Sequence, residues 1–76
     1  MNQVEAQKII ELLKSGKKFY TRHQEQMWGI DYVGDRQFKV WSQYYIEDKK
    51  TEIKTESAII ELLKIYNYEN ILKGIS

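Results

Sequence analysis

Residues 28–42 read WGIDYVGDRQFKVWS, with a run of β-branched and aromatic residues on each side of a Gly34-Asp35 pair. These residue types are enriched in strands because they pack well on a pleated surface. A Gly-Asp pair between two such runs is typical of a tight turn. The stretch therefore predicts a β-hairpin, and the register of that hairpin decides which side chains face the core.

The register is constrained because a slip of one residue moves every apolar side chain to the other face of the sheet. A two-residue turn at Gly34-Asp35 would mix apolar and charged residues on both faces. A three-residue connection through Arg36 separates them, so we prefer that register. It gives four cross-strand pairs: Tyr32 with Phe38, Ile30 with Val40, Trp28 with Ser42, and Asp31 with Lys39.

Alternation along the strands divides the side chains of the sheet between a buried face and an outward face. The buried face is predicted to carry Phe19, Thr21, Trp28, Ile30, Tyr32, Phe38, Val40, Tyr44 and Ile46. The outward face is predicted to carry Tyr20, Arg22, Asp31, Val33, Lys39, Trp41, Gln43 and Tyr45.

Apolar residues at helical spacing precede and follow the strands. Gly16 ends the first helical pattern, and Thr55 is a capping residue for the second. We therefore expect one small α+β domain over residues 1–76 in α-β-β-β-α order, a three-stranded antiparallel meander with two helices packed on one face. The predicted elements are a helix over about 2–15, strands over about 18–23, 27–33 and 37–46, a charged connector over Glu47 to Lys54, a helix over about 55–66, and a short helical turn over about 68–73.

Composition excludes several classes of function. Twelve Lys and Arg against eleven Asp and Glu give a net charge of +1, which does not suit a chain whose main task is to neutralise phosphates. With no cysteine and one histidine, disulfide and zinc staples are excluded, and no metal or cofactor is expected. No apolar run or signal-peptide pattern is present, so we expect a cytoplasmic protein without a membrane partner. Abundant Lys, Ile, Glu, Tyr and Asn favour a bacterial or phage source.

The chain offers little that could carry catalysis. His23 has Glu25 two residues away and Asp31 on the neighbouring strand, so it could act as a general base. Packing or a hydrogen bond at the sheet edge explains the same histidine without chemistry. No serine or threonine sits in a nucleophile elbow, and no glycine-rich loop precedes a helix. We therefore expect a protein that is not an enzyme.

The outward face combines flat rings with cations, in Tyr20, Arg22, Lys39, Trp41 and Tyr45. Trp, Tyr and Arg dominate the energetics of protein interfaces, and the near-neutral chain suits a protein partner. The leading hypothesis is a small inhibitor or regulator that binds a protein through these five residues. Single-stranded nucleic acid is the alternative, since it stacks its bases on rings and meets cations with its phosphates. An ordinary solvent-facing sheet also remains open.

The α-β-β-β-α order is similar to that of double-stranded RNA-binding domains. Those domains grip phosphates with a lysine cluster at the start of the last helix. This chain reads Thr55-Glu56-Ser57-Ala58 there, which puts an acid where a phosphate would lie. The resemblance is therefore one of topology alone.

The last long helix carries more apolar residues than one narrow stripe can bury. Ile60 and Ile65 are left over, and they must be covered either by the C-terminal residues from Tyr68 onward or by a second chain. If a second chain covers them, Ile60, Ile65 and Tyr68 are the expected contacts of a homodimer.

Overall fold

The computed structural model describes residues 1–76 as a four-stranded antiparallel sheet with three helices, which confirms the predicted α+β class. The strands lie side by side in chain order, β1-β2-β3-β4. The elements are α1 (Gln3–Lys14), β1 (Phe19–His23), β2 (Gln26–Gly34), β3 (Gln37–Tyr44), β4 (Lys50–Thr55), α2 (Glu56–Lys64) and α3 (Tyr68–Lys73).

The β2–β3 hairpin has the preferred register, and all four predicted cross-strand pairs are present. The connection differs in detail, because Gly34 rather than Val33 pairs with Gln37 and the extra residue forms a bulge. Asp35 and Arg36 then turn the chain with φ of 51° and 59°, as in a type I′ turn. The backbone N–H of Arg36 donates to the hydroxyl of Tyr32 at 3.3 Å, which helps hold the turn.

The predicted charged connector over Glu47 to Lys54 is wrong in part, because Lys50–Thr55 forms β4 and pairs antiparallel with β3. Five of its six residues are exposed. An edge strand that buries no apolar side chain lacks hydrophobic alternation, so its sequence resembles that of a polar loop. The sheet is therefore four-stranded rather than three-stranded.

The helices begin at capping side chains. Asn2 forms a capping box with Glu5, Thr55 accepts from the Ala58 N–H, and Asn67 accepts from the Asn70 N–H. An ion pair between Lys14 and Glu56 joins the end of α1 to the start of α2. The hydrogen bond to Glu56 raises the pKa of Lys14 above its usual value.

The three helices cover one face of the sheet and enclose the hydrophobic core. The hexapeptide IIELLK occurs in α1 at 9–14 and in α2 at 59–64, and both copies bury the same three side chains. Each copy therefore presents one apolar stripe. The buried residues are Ala6, Ile9, Ile10, Leu13, Phe19, Ile30, Phe38, Ile59, Ile60, Leu63 and Ile71.

Two residues predicted to be buried are exposed. β3 ends at Tyr44 rather than at residue 46, and Tyr45 adopts a left-handed conformation with φ of 51°. Tyr44 and Ile46 consequently lie at and beyond the end of the strand, and both are exposed. The alternation that assigns them to the core does not continue through this turn.

The C-terminal residues cover the outer edge of β1. Lys18 and Ser76 exchange two backbone hydrogen bonds of 3.0 Å, and the Tyr20 N–H donates to the Gly74 carbonyl at 2.9 Å. Phe19 and Ile75 form an antiparallel bridge at the same place. The edge of β4 is consequently the open edge of the sheet.

Ile60 belongs to the core of the single chain, where it is only 9% exposed, so it is not available as a dimer contact. Tyr68 is half-buried and packs against the core, because α3 folds back over the helices. Ile65 is the C-cap of α2 and is 76% exposed. Of the three predicted dimer contacts, Ile65 alone points fully away from the core.

We expect Ile60→Ala to lower the free energy of unfolding by about 2–5 kcal/mol, the usual result of truncating a buried isoleucine. Ile65→Ala is the matched control and should change it by no more than about 0.5 kcal/mol. Urea unfolding followed by circular dichroism measures both. Equal losses for the two variants would contradict the burial of Ile60.

Candidate functional site

The side of the sheet opposite the helices is left uncovered, and we call it the open face. Cross-strand partners share a face in an antiparallel sheet, so the register assigns its residues without ambiguity. Its members in the strands are Tyr20, Arg22, Met27, Gly29, Asp31, Gln37, Lys39, Trp41, Gln43, Thr51, Ile53 and Thr55.

An aromatic pair occupies the centre of the open face. Tyr20 and Trp41 are both cross-strand partners of Gly29, one from β1 and the other from β3. Because Gly29 has no side chain, the two rings meet above it, with centroids 5.8 Å apart and an interplanar angle of 22°. We call this stacked pair the aromatic platform.

Gly29 is required for this arrangement because the indole lies directly on its backbone. A Cβ at this position would be 2.7 Å from Trp41 Nε1, 2.8 Å from Trp41 Cε2 and 2.5 Å from the carbonyl oxygen of Phe19. All three distances are shorter than van der Waals contact. The strand glycine therefore marks the close approach of a ring from the neighbouring strand.

Two further contacts hold the platform. The ammonium group of Lys49 lies 4.6 Å from the centroid of the Trp41 ring, which is a cation–π geometry. The hydroxyl of Tyr20 donates to the sulfur of Met27 at 3.4 Å. Trp41 is consequently half-buried in the absence of any partner, whereas Tyr20 remains 46% exposed.

The open face carries an excess of positive charge. Asp31 lies between two lysines, with Lys18 Nζ at 3.6 Å and Lys39 Nζ at 3.4 Å from its carboxylate oxygens. Arg22 is exposed, and its Nε donates to the Gln24 carbonyl at 3.3 Å. With Lys49 over Trp41, these contacts place four cations and one carboxylate on or beside the open face.

The structure brings together four of the five predicted site residues. Tyr20, Arg22, Lys39 and Trp41 share the open face, although Lys39 is engaged by Asp31. Tyr45 lies in the turn after β3, where its N–H donates to the Glu25 carbonyl at 2.7 Å. The sheet register therefore does not extend to Tyr45.

Three residues that hold the platform, Gly29, Met27 and Lys49, were not among the predicted site residues. Gly29 could have been identified from the sequence, since a glycine inside a strand indicates a close approach of another group. No sequence pattern identifies Lys49, because it lies in the connection between β3 and β4 and contacts Trp41 only in the folded chain.

His23 lies at the end of β1, is exposed, and pairs with Gln26. The structure contains no group of three or more His, Cys, Asp or Glu side chains positioned to hold a metal ion. None of its helices is both long enough and apolar enough to cross a membrane.

The chain matches no protein-family model, no curated protein and no solved structure.

We expect Gly29→Ala to lower the free energy of unfolding by about 1–3 kcal/mol, because the added methyl group overpacks against Trp41 and the Phe19 carbonyl. Chemical denaturation followed by far-ultraviolet circular dichroism measures this loss. The change should also displace the indole of Trp41 and alter the tryptophan emission of the folded protein.

Thr51→Ala is the control, since Thr51 pairs with Trp41 in the same cross-strand row and is exposed. Thr51→Ala should lower the free energy of unfolding by less than about 1 kcal/mol, which is the range of differences in strand propensity. A Gly29→Ala variant as stable as the Thr51→Ala variant would show that the indole does not rest on Gly29.

Proposed function

We propose that the chain is a non-enzymatic protein-interaction module, a small inhibitor or regulator that binds an acidic surface of another protein through the open face. The observation that carries this proposal is the aromatic platform, a stacked Tyr20–Trp41 pair on a sheet face that no helix covers. The lack of cysteine and the composition support a role in the cytoplasm of a bacterium or its phage.

The platform has the properties of an interface hot spot. Large aromatic side chains that are held in place before binding lose little conformational entropy when a partner covers them. Trp41 is held between the backbone of Gly29 and the ammonium group of Lys49, and Tyr20 is held by its contact with Met27. The exposed part of Tyr20 is thus a rigid apolar surface with a polar rim, which a partner can bury.

The distribution of charge defines the chemistry of the partner. Lys18, Arg22, Lys39 and Lys49 lie on or beside the open face, and Asp31 is the carboxylate that its ion pairs place there. Such a group of cations attracts an acidic surface of a partner. Arg22 and Lys49 are the two of these cations that have no carboxylate contact. Because Lys49 lies over Trp41, the exposed Arg22 is best placed to meet an acidic group of the partner.

Nucleic acid is the alternative that the same residues suggest, because rings and cations also bind single strands. Two contacts favour a protein. One side of the Trp41 indole rests on Gly29 and Lys49 lies over the ring, so a base cannot stack on it without displacing Lys49. Lys18 and Lys39 are already engaged by Asp31, so Arg22 and Lys49 remain, and two cations suit an acidic group of a protein better than a continuous phosphate backbone.

We expect Tyr20→Ala combined with Arg22→Ala to abolish capture of the partner, with the fold retained. The immobilised chain is exposed to cell extract, and bound proteins are identified by quantitative mass spectrometry. Circular dichroism reports the fold. The proteins lost in the variant should present an acidic surface, and their binding should weaken as salt is raised.

Tyr44→Ala is the matched control, because Tyr44 is 53% exposed and belongs to the other face of the sheet. It should capture the same proteins as the unchanged chain. If the open-face variant and the Tyr44→Ala variant capture the same set at the same level, the open face is not the binding site.

Labelled single-stranded oligonucleotides at low and physiological salt separate the two classes of partner. We expect no binding beyond a weak, salt-sensitive background that is insensitive to Tyr20→Ala. Tight binding at low salt that is lost in Tyr20→Ala would replace the protein partner with a nucleic acid.

A further inference from the structure

The open edge of β4 carries unpaired backbone groups whose identity follows from the hydrogen bonds at the opposite edge. The Tyr20 N–H donates to Gly74 and therefore points away from β2. In antiparallel sheets, successive residues direct their N–H and C=O groups to alternate sides. Gly29, the partner of Tyr20, therefore directs its N–H and C=O groups toward β3, and Trp41, which pairs with Gly29, directs its own toward β2. Thr51 pairs with Trp41 and so directs its N–H and C=O groups toward the open edge.

The outward groups of β4 are consequently those of alternate residues, Thr51, Ile53 and Thr55. The groups of Lys50, Glu52 and Lys54 point inward and bond β3. At the centre of the open edge, Ile53 combines an outward N–H with an exposed apolar side chain on the open face.

We infer that this edge pairs with the β4 edge of a second copy of the chain, in an antiparallel register centred on Ile53. The sequence KTEIKT is self-complementary in that register. Ile53 meets Ile53 of the second copy on the two-fold axis, and Thr51 meets Thr55. Glu52 lies opposite Lys54 of the second copy, and Lys54 lies opposite Glu52, so each strand end forms an opposite-charge pair.

Charge also favours the register centred on Ile53 over the register centred on Glu52. Centring the pairing on Glu52 would set Lys50 opposite Lys54 twice, which places like charges directly against each other. Lysines normally protect an open edge from pairing. Here Glu52 stands between Lys50 and Lys54 and is paired with Lys54 at 2.8 Å, so the alternating charges attract an identical strand.

The pairing ends at two copies because the other edge of the sheet is covered. The C-terminal residues bond β1 at Lys18 and Tyr20, which leaves only the outward groups of Arg22, too few to pair a further strand. A two-fold axis through Ile53 makes one continuous eight-stranded sheet with both open faces on the same side. The dimer therefore presents two aromatic platforms to one partner surface, although its formation does not depend on the identity of that partner.

Charge-swap variants test the pairing. Glu52→Lys places a second ammonium group opposite Lys54 of the other copy, and Lys54→Glu places a second carboxylate opposite Glu52. Each variant alone should therefore dimerise about tenfold more weakly or worse. Mixed in equal amounts, the two should form a heterodimer, since every opposed pair then has opposite sign. Sedimentation from low micromolar to millimolar concentration measures the mass, and the unchanged chain should rise toward twice the monomer mass.

A chain that remains monomeric at millimolar concentration would overturn the inference. So would two single variants that dimerise as tightly as the unchanged chain, or a mixture that behaves as the sum of its parts. Binding of an acidic peptide strand at this edge without self-association would assign the edge to a different occupant and would also overturn it.

Amide hydrogen exchange of the unchanged chain gives a second test that needs no variant. The Ile53 amide should exchange rapidly at low concentration and become protected as concentration rises. The amides of Glu52 and Lys54 bond β3 and should be protected at every concentration. Rapid exchange of Ile53 at all concentrations would contradict pairing at this edge.

Discussion

The pairing of Tyr32 with Phe38 across the β2–β3 hairpin is the constraint on which both faces of the sheet depend. It is set by the bulge between Tyr32 and Gly34 and by the left-handed turn through Asp35 and Arg36. Because side chains alternate along a strand, this one pairing sends Phe38 to the helices and brings Trp41 over Gly29. A slip of one residue would expose the core and bury the charged row that contains Asp31.

The two faces divide the aromatic residues between different tasks. On the helix side, Phe19 packs edge-on against Trp28 with ring centroids 4.9 Å apart. The ring centroids of Phe38 and Tyr32 are 5.1 Å apart. These pairs add large buried area to a chain without disulfides. On the open face, the stacked rings contribute nothing to the core and are held instead by a glycine, a lysine and a methionine.

Much of the fold could be predicted from the sequence because its signals are local. The hairpin register follows from alternation, and α2 follows from its periodicity and from the Thr55 cap. β4 could not be predicted, because its pairing partner rather than its own hydrophobicity makes it a strand. Of the candidate site, the rings and cations could be predicted, but the contact of Lys49 with Trp41 depends on how the β3–β4 connection folds. The prediction that Tyr45 lies in the third strand was wrong, because Tyr45 has a positive φ and the alternation of side chains ends there.

The hairpin register builds an aromatic platform on Gly29 that exists before any partner binds. Proton nuclear magnetic resonance of the free chain detects this platform through the α-protons of Gly29. We expect a nuclear Overhauser contact between these protons and the Trp41 indole N–H, and an upfield shift that disappears in Trp41→Ala. Ordinary Gly29 shifts that are unchanged in Trp41→Ala, with no contact to the indole, would show that the platform is not formed in the free chain.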